Sequence, residues 1–109
     1  MTTTFERLLT AELTVTSTDT SYTADDNTQV QLRACTLVNK TGTARWVSAW
    51  VTPLGGTARY VMYRKVIGAG QSIPAAAVVA QVLNAGDKID FAAEAASAID
   101  LALSGSLST

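Results

Sequence analysis

Residues 29–38 alternate between two chemical faces with a period of two. Val30, Leu32, Ala34, Thr36 and Val38 fall on one face, and Gln29, Gln31, Arg33, Cys35 and Leu37 on the other. Only an extended strand separates odd from even positions in this way, so the first set is the expected core face. The opposite face turns apolar at Cys35 and Leu37, which predicts that this end of the strand is covered on both sides. Residues 45–52 repeat the pattern, with Val47, Ala49 and Val51 on one face and Trp46, Ser48, Trp50 and Thr52 on the other. Asn39-Lys40-Thr41-Gly42-Thr43 reads as the turn between the two strands, with Gly42 available for positive φ. Pro53-Leu54-Gly55-Gly56-Thr57 ends the second strand.

Shorter strands are expected over 13–16, 21–24, 59–67, 87–92 and 98–104, with a polar connection over 17–20 and a turn at Asp25-Asp26-Asn27. One short helix near 74–84 is the most the pattern allows. Ser72 can cap it, Pro74 suits its first turn, Ala75, Ala76 and Ala77 favour it, and Gly86 can stop it. Seven or so short strands with turns every 8–12 residues predict an all-β chain, a small antiparallel β-sandwich or jelly-roll-like domain. At 109 residues the chain is one domain. We divide it into an N-terminal arm over 1–10, whose Phe5, Leu8 and Leu9 are candidates for insertion into a neighbouring copy, and a β domain over 11–109.

The residues that usually carry catalysis are scarce. The chain has no histidine and one cysteine. A hydrolase triad therefore lacks its base, a transition-metal site lacks its commonest ligand, and no intrachain disulfide can form. Cys35 has no activating partner visible in the sequence. Asp25-Asp26-Asn27 lacks the spacing of a calcium loop, and the glycines at 55–56 and 68–70 lack the frame of a phosphate loop. The expectation is a protein that is not an enzyme and holds no metal and no cofactor. The first residues lack the basic and apolar regions of a signal peptide, and the longest strongly apolar stretch, 73–83, is too short to span a bilayer. No membrane partner is expected.

The charges are segregated along the chain. Between Asn27 and Gly86 there is no acid, and Arg33, Lys40, Arg45, Arg59, Arg64 and Lys65 give +6. The flanks hold all nine acids against Arg7 and Lys88, giving −7. Two readings follow. Strands from the flanks pair with strands from the middle inside one domain, or opposite patches meet between copies. Nucleic acid is not an expected partner, since the basic stretch carries no recognition motif. Trp46 and Trp50 share a face about 13 Å apart along their strand. Turned inward they are core; turned outward they make a platform for a neighbouring subunit or a sugar ring. Tyr60 and Tyr63, three apart, are expected on opposite faces, so that only one joins the tryptophans. The candidate interface residues are thus Phe5, Leu8, Leu9, Arg45, Trp46, Trp50, Arg59, Arg64 and Lys65. Arg45 and Arg59 are expected near one another across the turn at 53–56.

The order of Tyr22-Thr23-Ala24, Asn39-Lys40-Thr41-Gly42, Pro53-Leu54-Gly55-Gly56 and Leu83-Asn84-Ala85-Gly86-Asp87-Lys88-Ile89 resembles small β-sandwich virion structural proteins of tailed bacteriophages. The resemblance covers roughly residues 20–105. It implies a non-catalytic protein present in many copies on the head or in the neck or tail. Its partners would be copies of itself and other virion structural proteins. It would be made in the cytoplasm of a bacterial host and carried in the virion. The alternative is a carbohydrate-binding or adhesion module of a phage tail or bacterial surface, with a glycan on Trp46 and Trp50.

Overall fold

The computed structural model describes residues 3–13, 21–79 and 81–109. Among these the chain is entirely strands and turns, β1 (Thr3–Glu12), β2 (Ser21–Thr23), β3 (Gln29–Asn39), β4 (Arg45–Thr52), β5 (Arg59–Ile67), β6 (Ser72–Pro74), β7 (Val82–Leu83), β8 (Lys88–Ala93) and β9 (Ile99–Ser108). Every pairing is antiparallel. One sheet runs β1-β9-β3-β6, with β7 beside the other end of β3, and the second runs β2-β8-β4-β5. The all-β antiparallel sandwich expected from the alternation is the observed fold. The strand expected over 13–16 and the connection over 17–20 lie outside the described residues, apart from Leu13, which is buried.

The core forms where the alternating faces meet. Val30, Leu32, Leu101 and Leu103 from the first sheet are sealed against Val47, Ala49, Ile89 and Phe91 from the second. β3 does not keep one alternation throughout. Its register against β9 shifts between Leu32 and Ala34. A bulge inserts one residue and exchanges the faces beyond it. Val30 and Leu32 are therefore buried as expected, but Ala34 and Thr36 are exposed, and Cys35, Leu37 and Asn39 take the inner positions. β1 carries a matching irregularity against β9 between Arg7 and Leu9.

The two irregularities flank Ser104 of β9, that of β3 opposite the Ser104–Gly105 step and that of β1 opposite the Leu103–Ser104 step. A Cβ on Gly105 would sit 2.7 Å from the Gln31 carbonyl oxygen and 2.9 Å from Leu8 Cδ1. Only glycine lets β1 and β3 close in on β9 there. β1 passes through residue 10 without a break, so from Thr3 onward the segment set apart as an arm is the outer strand of the first sheet. Leu8 and Leu9 pack against the core, whereas Phe5 is 65% exposed.

The expected helix gives way to β6, a turn and β7. Ile73 pairs with Leu37, and Ala75 N–H donates to the Cys35 carbonyl. The edge of β3 needs partners, and these bonds outweigh the alanines' preference for helix. The turn after β3 also differs from expectation. Gly42 does not take positive φ. The fully buried Asn39 closes the turn instead, donating through Nδ2 to the Thr43 and Ile67 carbonyls, both at 2.9 Å, and accepting at Oδ1 from Thr41 N–H and hydroxyl. Because Ile67 ends β5, one side chain fastens the corner where the chain leaves the first sheet for the second.

Two stability outcomes follow from this geometry. Gly105→Ala should cost about 1–3 kcal/mol, the range for forced overpacking, because the obstructing atom is a backbone carbonyl. Asn39→Ala should cost at least as much, since it strands a buried carbonyl. Urea unfolding followed by far-UV circular dichroism measures both.

Candidate functional site

The outer face of β4 and β5 gathers the exposed aromatic side chains of the second sheet. Val47 and Ala49 point to the core, which turns Trp46, Ser48 and Trp50 outward. The tryptophans are half-buried by their neighbours on this face and are not part of the core. Trp50 meets Tyr60 edge-on at 5.5 Å between ring centroids, and Tyr60 meets Tyr63 edge-on at 4.8 Å. Such pairs are worth ~0.5–1.5 kcal/mol beyond their buried area, so the rings hold one another in place. The Arg64 guanidinium lies 5.0 Å from the Trp46 ring centroid and 5.4 Å from that of Tyr63, within cation–π range. These residues, with Ser48 and Ala92, line one shallow groove.

Two irregularities in β5 build this arrangement. The register against β4 shifts between Val47 and Ala49 and again between Ala49 and Trp50. At the first, Arg64 adopts φ of 48°, a left-handed conformation that costs a non-glycine residue of order 1 kcal/mol. Its amide donates to Ser48 Oγ at 2.9 Å, which anchors the bulge. The shifts bring Tyr60 and Tyr63 to the same side, both about as exposed, 59% and 60%. The sequence alternation had placed them on opposite faces. No turn residue marks this bulge, and the Ser48 hydroxyl among apolar strand neighbours is its one trace in the sequence.

The other candidate residues are dispersed. Arg45 pairs with Ile67 and Arg59 with Val51, so the two arginines stand at opposite ends of the β4–β5 hairpin, not side by side. Antiparallel register dictates this, because Arg45 starts β4 and Arg59 starts β5. Arg45 lies 3.8 Å from Glu94. Lys65 lines a separate apolar groove with Met62 and Ile73. Phe5, Leu8 and Leu9 belong to β1, at the far edge of the other sheet.

Charges of the middle and the flanks do meet within the domain. Lys40 bridges Glu12 at 2.5 Å and Asp100 at 3.1 Å. The hydrogen bond between them holds the Glu12 carboxyl below its ordinary range and the Lys40 ammonium above its own. Two further acids are engaged in structure as well. Asp87 accepts from the Leu54 and Asn84 amides. Glu94 accepts from the Trp46 amide. No group of three or more His, Cys, Asp or Glu among the described residues could hold a metal ion. Burial pushes the Cys35 thiol up to about 12. No helix among the described residues is long and apolar enough to cross a membrane.

Asp90 is the one buried acid among the described residues. It lies opposite Trp50 in the ladder and is 1% exposed. Lys88 Nζ stands 3.8 Å from its Oδ1, which has no hydrogen-bond partner among the described residues. Desolvation raises its carboxyl above the usual range, with Lys88 opposing in part.

No family model matches the chain, and no curated protein matches it. Solved structures do. The structure of infectious bursal disease virus Gx strain matches at 16% identity and a TM-score of 0.39, covering 96% of this chain and 29% of that chain. The crystal structure of the infectious bursal disease virus VP2 subviral particle matches at 15% identity and a TM-score of 0.37, covering 97% of this chain and 32% of that chain. This chain therefore spans less than a third of either. At these values no residue role passes from those chains to this one. The expectation of a tailed-bacteriophage protein, with its head, neck or tail placement, is corrected here, since the matched virus is of another kind. The motifs behind that expectation are accounted for as turn chemistry: Asn39 closes one turn, Gly56 N–H donates to the Pro53 carbonyl in another, and the Asp87 carboxylate holds a third.

The Asp90 geometry sets a pH dependence. A carboxyl raised in the folded state favours the protonated form there, so stability falls as pH climbs from the unfolded value through the folded one. Asp90→Asn should remove that fall and leave the protein more stable than wild type at pH 7. Thermal melts between pH 3 and 8 compare the two.

Proposed function

We propose that this chain is a non-catalytic structural protein that assembles in many copies into a viral particle. The observation that carries the reading is the outward platform of Trp46, Trp50, Tyr60 and Tyr63, crossed by Arg64. Trp, Tyr and Arg are the residues that most often anchor protein interfaces. Here they stand on paired strands, held by ring contacts and by the Ser48-anchored bulge, so little ordering is required when a partner docks. Glu12 and Asp100 are held by Lys40, and Asp87 and Glu94 accept from backbone amides, which engages these carboxylates in structure. The virus-particle setting is in keeping with the matched infectious bursal disease virus structures, one of them a subviral particle.

A second reading rests on the same rings. An open aromatic face beside an arginine also suits a sugar ring, so a carbohydrate-binding module is the alternative. Sedimentation velocity across a concentration series separates the two. The assembly reading expects mass to rise with concentration, and Trp50→Ala to weaken association about thirtyfold, the loss of a typical interface anchor. A constant monomer mass, joined to saturable glycan binding that Trp50→Ala abolishes, would establish the alternative.

A further inference from the structure

The strand order sorts the segregated charges onto opposite sides of the sandwich. β1 and β2 end their respective sheets on one side and lie against each other. β6 and β5 end them on the other. Glu6 of β1 and Asp25, just beyond β2, both act on Tyr22 and, after its burial, raise its phenol. Asp26 adds a third acid, and the cations of this side are Arg7 on β1 and Lys88, which stands opposite Thr23 and faces Asp90. None of these acids is ion-paired among the described residues. The opposite side has Arg59, Arg64 and Lys65 on β5, likewise without an acidic partner among the described residues. Between β5 and β6 on that side an apolar groove opens, lined by Met62, Ile73, Pro74 and Ala75-Ala76-Ala77, with Lys65 on it.

We propose that copies of this chain join head to tail, the acidic β1/β2 edge of one against the basic, grooved β5/β6 edge of the next. This rests on the reading that the chain self-associates, and it specifies the contact. The occupant of the groove is a second copy because the chain itself supplies both complements. The unpaired acids of one edge match the unpaired cations of the other. Phe5, the most exposed aromatic side chain, stands on the acidic edge as an apolar group of the kind the groove takes. The two register shifts in β5 break its row of backbone donors and acceptors. Side chains, not an extended ladder, therefore make the contact. Unlike edges do not saturate one another, so the contact generates rings or open rows.

The test uses the full chain and its charge reversals. Glu6→Lys and Lys65→Glu should each weaken association at least tenfold in sedimentation velocity. An equimolar mixture of the two should restore it, because every altered edge then meets its complement. Phe5→Ser should weaken it about thirtyfold. Ala76→Arg, at an exposed loop position in the groove, should do the same with no strand residue changed, so it keeps the test valid if a strand variant melts early. If Glu6→Lys weakens association while Lys65→Glu and Ala76→Arg assemble like wild type, the contact joins like edges and this proposal is overturned. Wild type that assembles with every edge variant unaffected overturns this proposal alone. Wild type that stays monomeric at all concentrations overturns the assembly reading with it.

Discussion

Everything in the first sheet depends on how closely three strands approach at Gly105. β9 is the central strand of that sheet, and both its partners deviate from regular pairing within a residue of this position. Glycine permits the approach because the Gln31 carbonyl occupies the space a Cβ would need. The consequences run outward from there. The irregularity in β3 exchanges its faces, which sends Leu37 into the core and Thr36 to solvent. That in β1 leaves Leu8 and Leu9 both leaning on the core, although neighbours in a regular strand would face apart.

The sequence therefore reveals the sheet periodicity and conceals its interruptions. The alternation in 45–52 is read correctly throughout, and its strand bounds match β4. The alternation in 29–38 is read correctly only to Leu32. A bulge after Leu32 takes Ala34 and Thr36 out of the core face and puts Cys35 and Leu37, whose apolar character had marked this end as covered, into it, and its cause is the shape of neighbouring strands rather than any residue of β3. The same physics conceals the platform. Trp46 and Trp50 are legible as a pair on one face, and Val47 and Ala49 in the core turn them outward, but the arrival of both tyrosines beside them depends on β5 slipping twice against β4. The alanine-rich segment misleads for the opposite reason. Its local preference is genuine, and the need of β3 for edge partners overrides it.

Charge segregation was visible as two alternatives, and the molecule uses one of them at the corner where β1, β9 and the β3–β4 turn converge. Lys40 there brings the middle of the chain to both flanks. Exposed pairs of this kind are screened by solvent and contribute little to stability, so they select register more than they hold the fold. The cations of β5 lie in the strand furthest from the acidic flanks in the second sheet. Strand order, not sequence distance, decides which charges are neutralised internally.

The bulge in β3 has one more effect, and it concerns redox chemistry. In an uninterrupted strand Cys35 would lie on the outer face, where a thiol meets solvent. The slipped register places it inside, 2% exposed, with its thiol pushed up to about 12, so the reactive thiolate is suppressed at neutral pH. It is the single cysteine of the chain. Burial thus keeps Cys35 from disulfide exchange with a second copy while the domain stays folded.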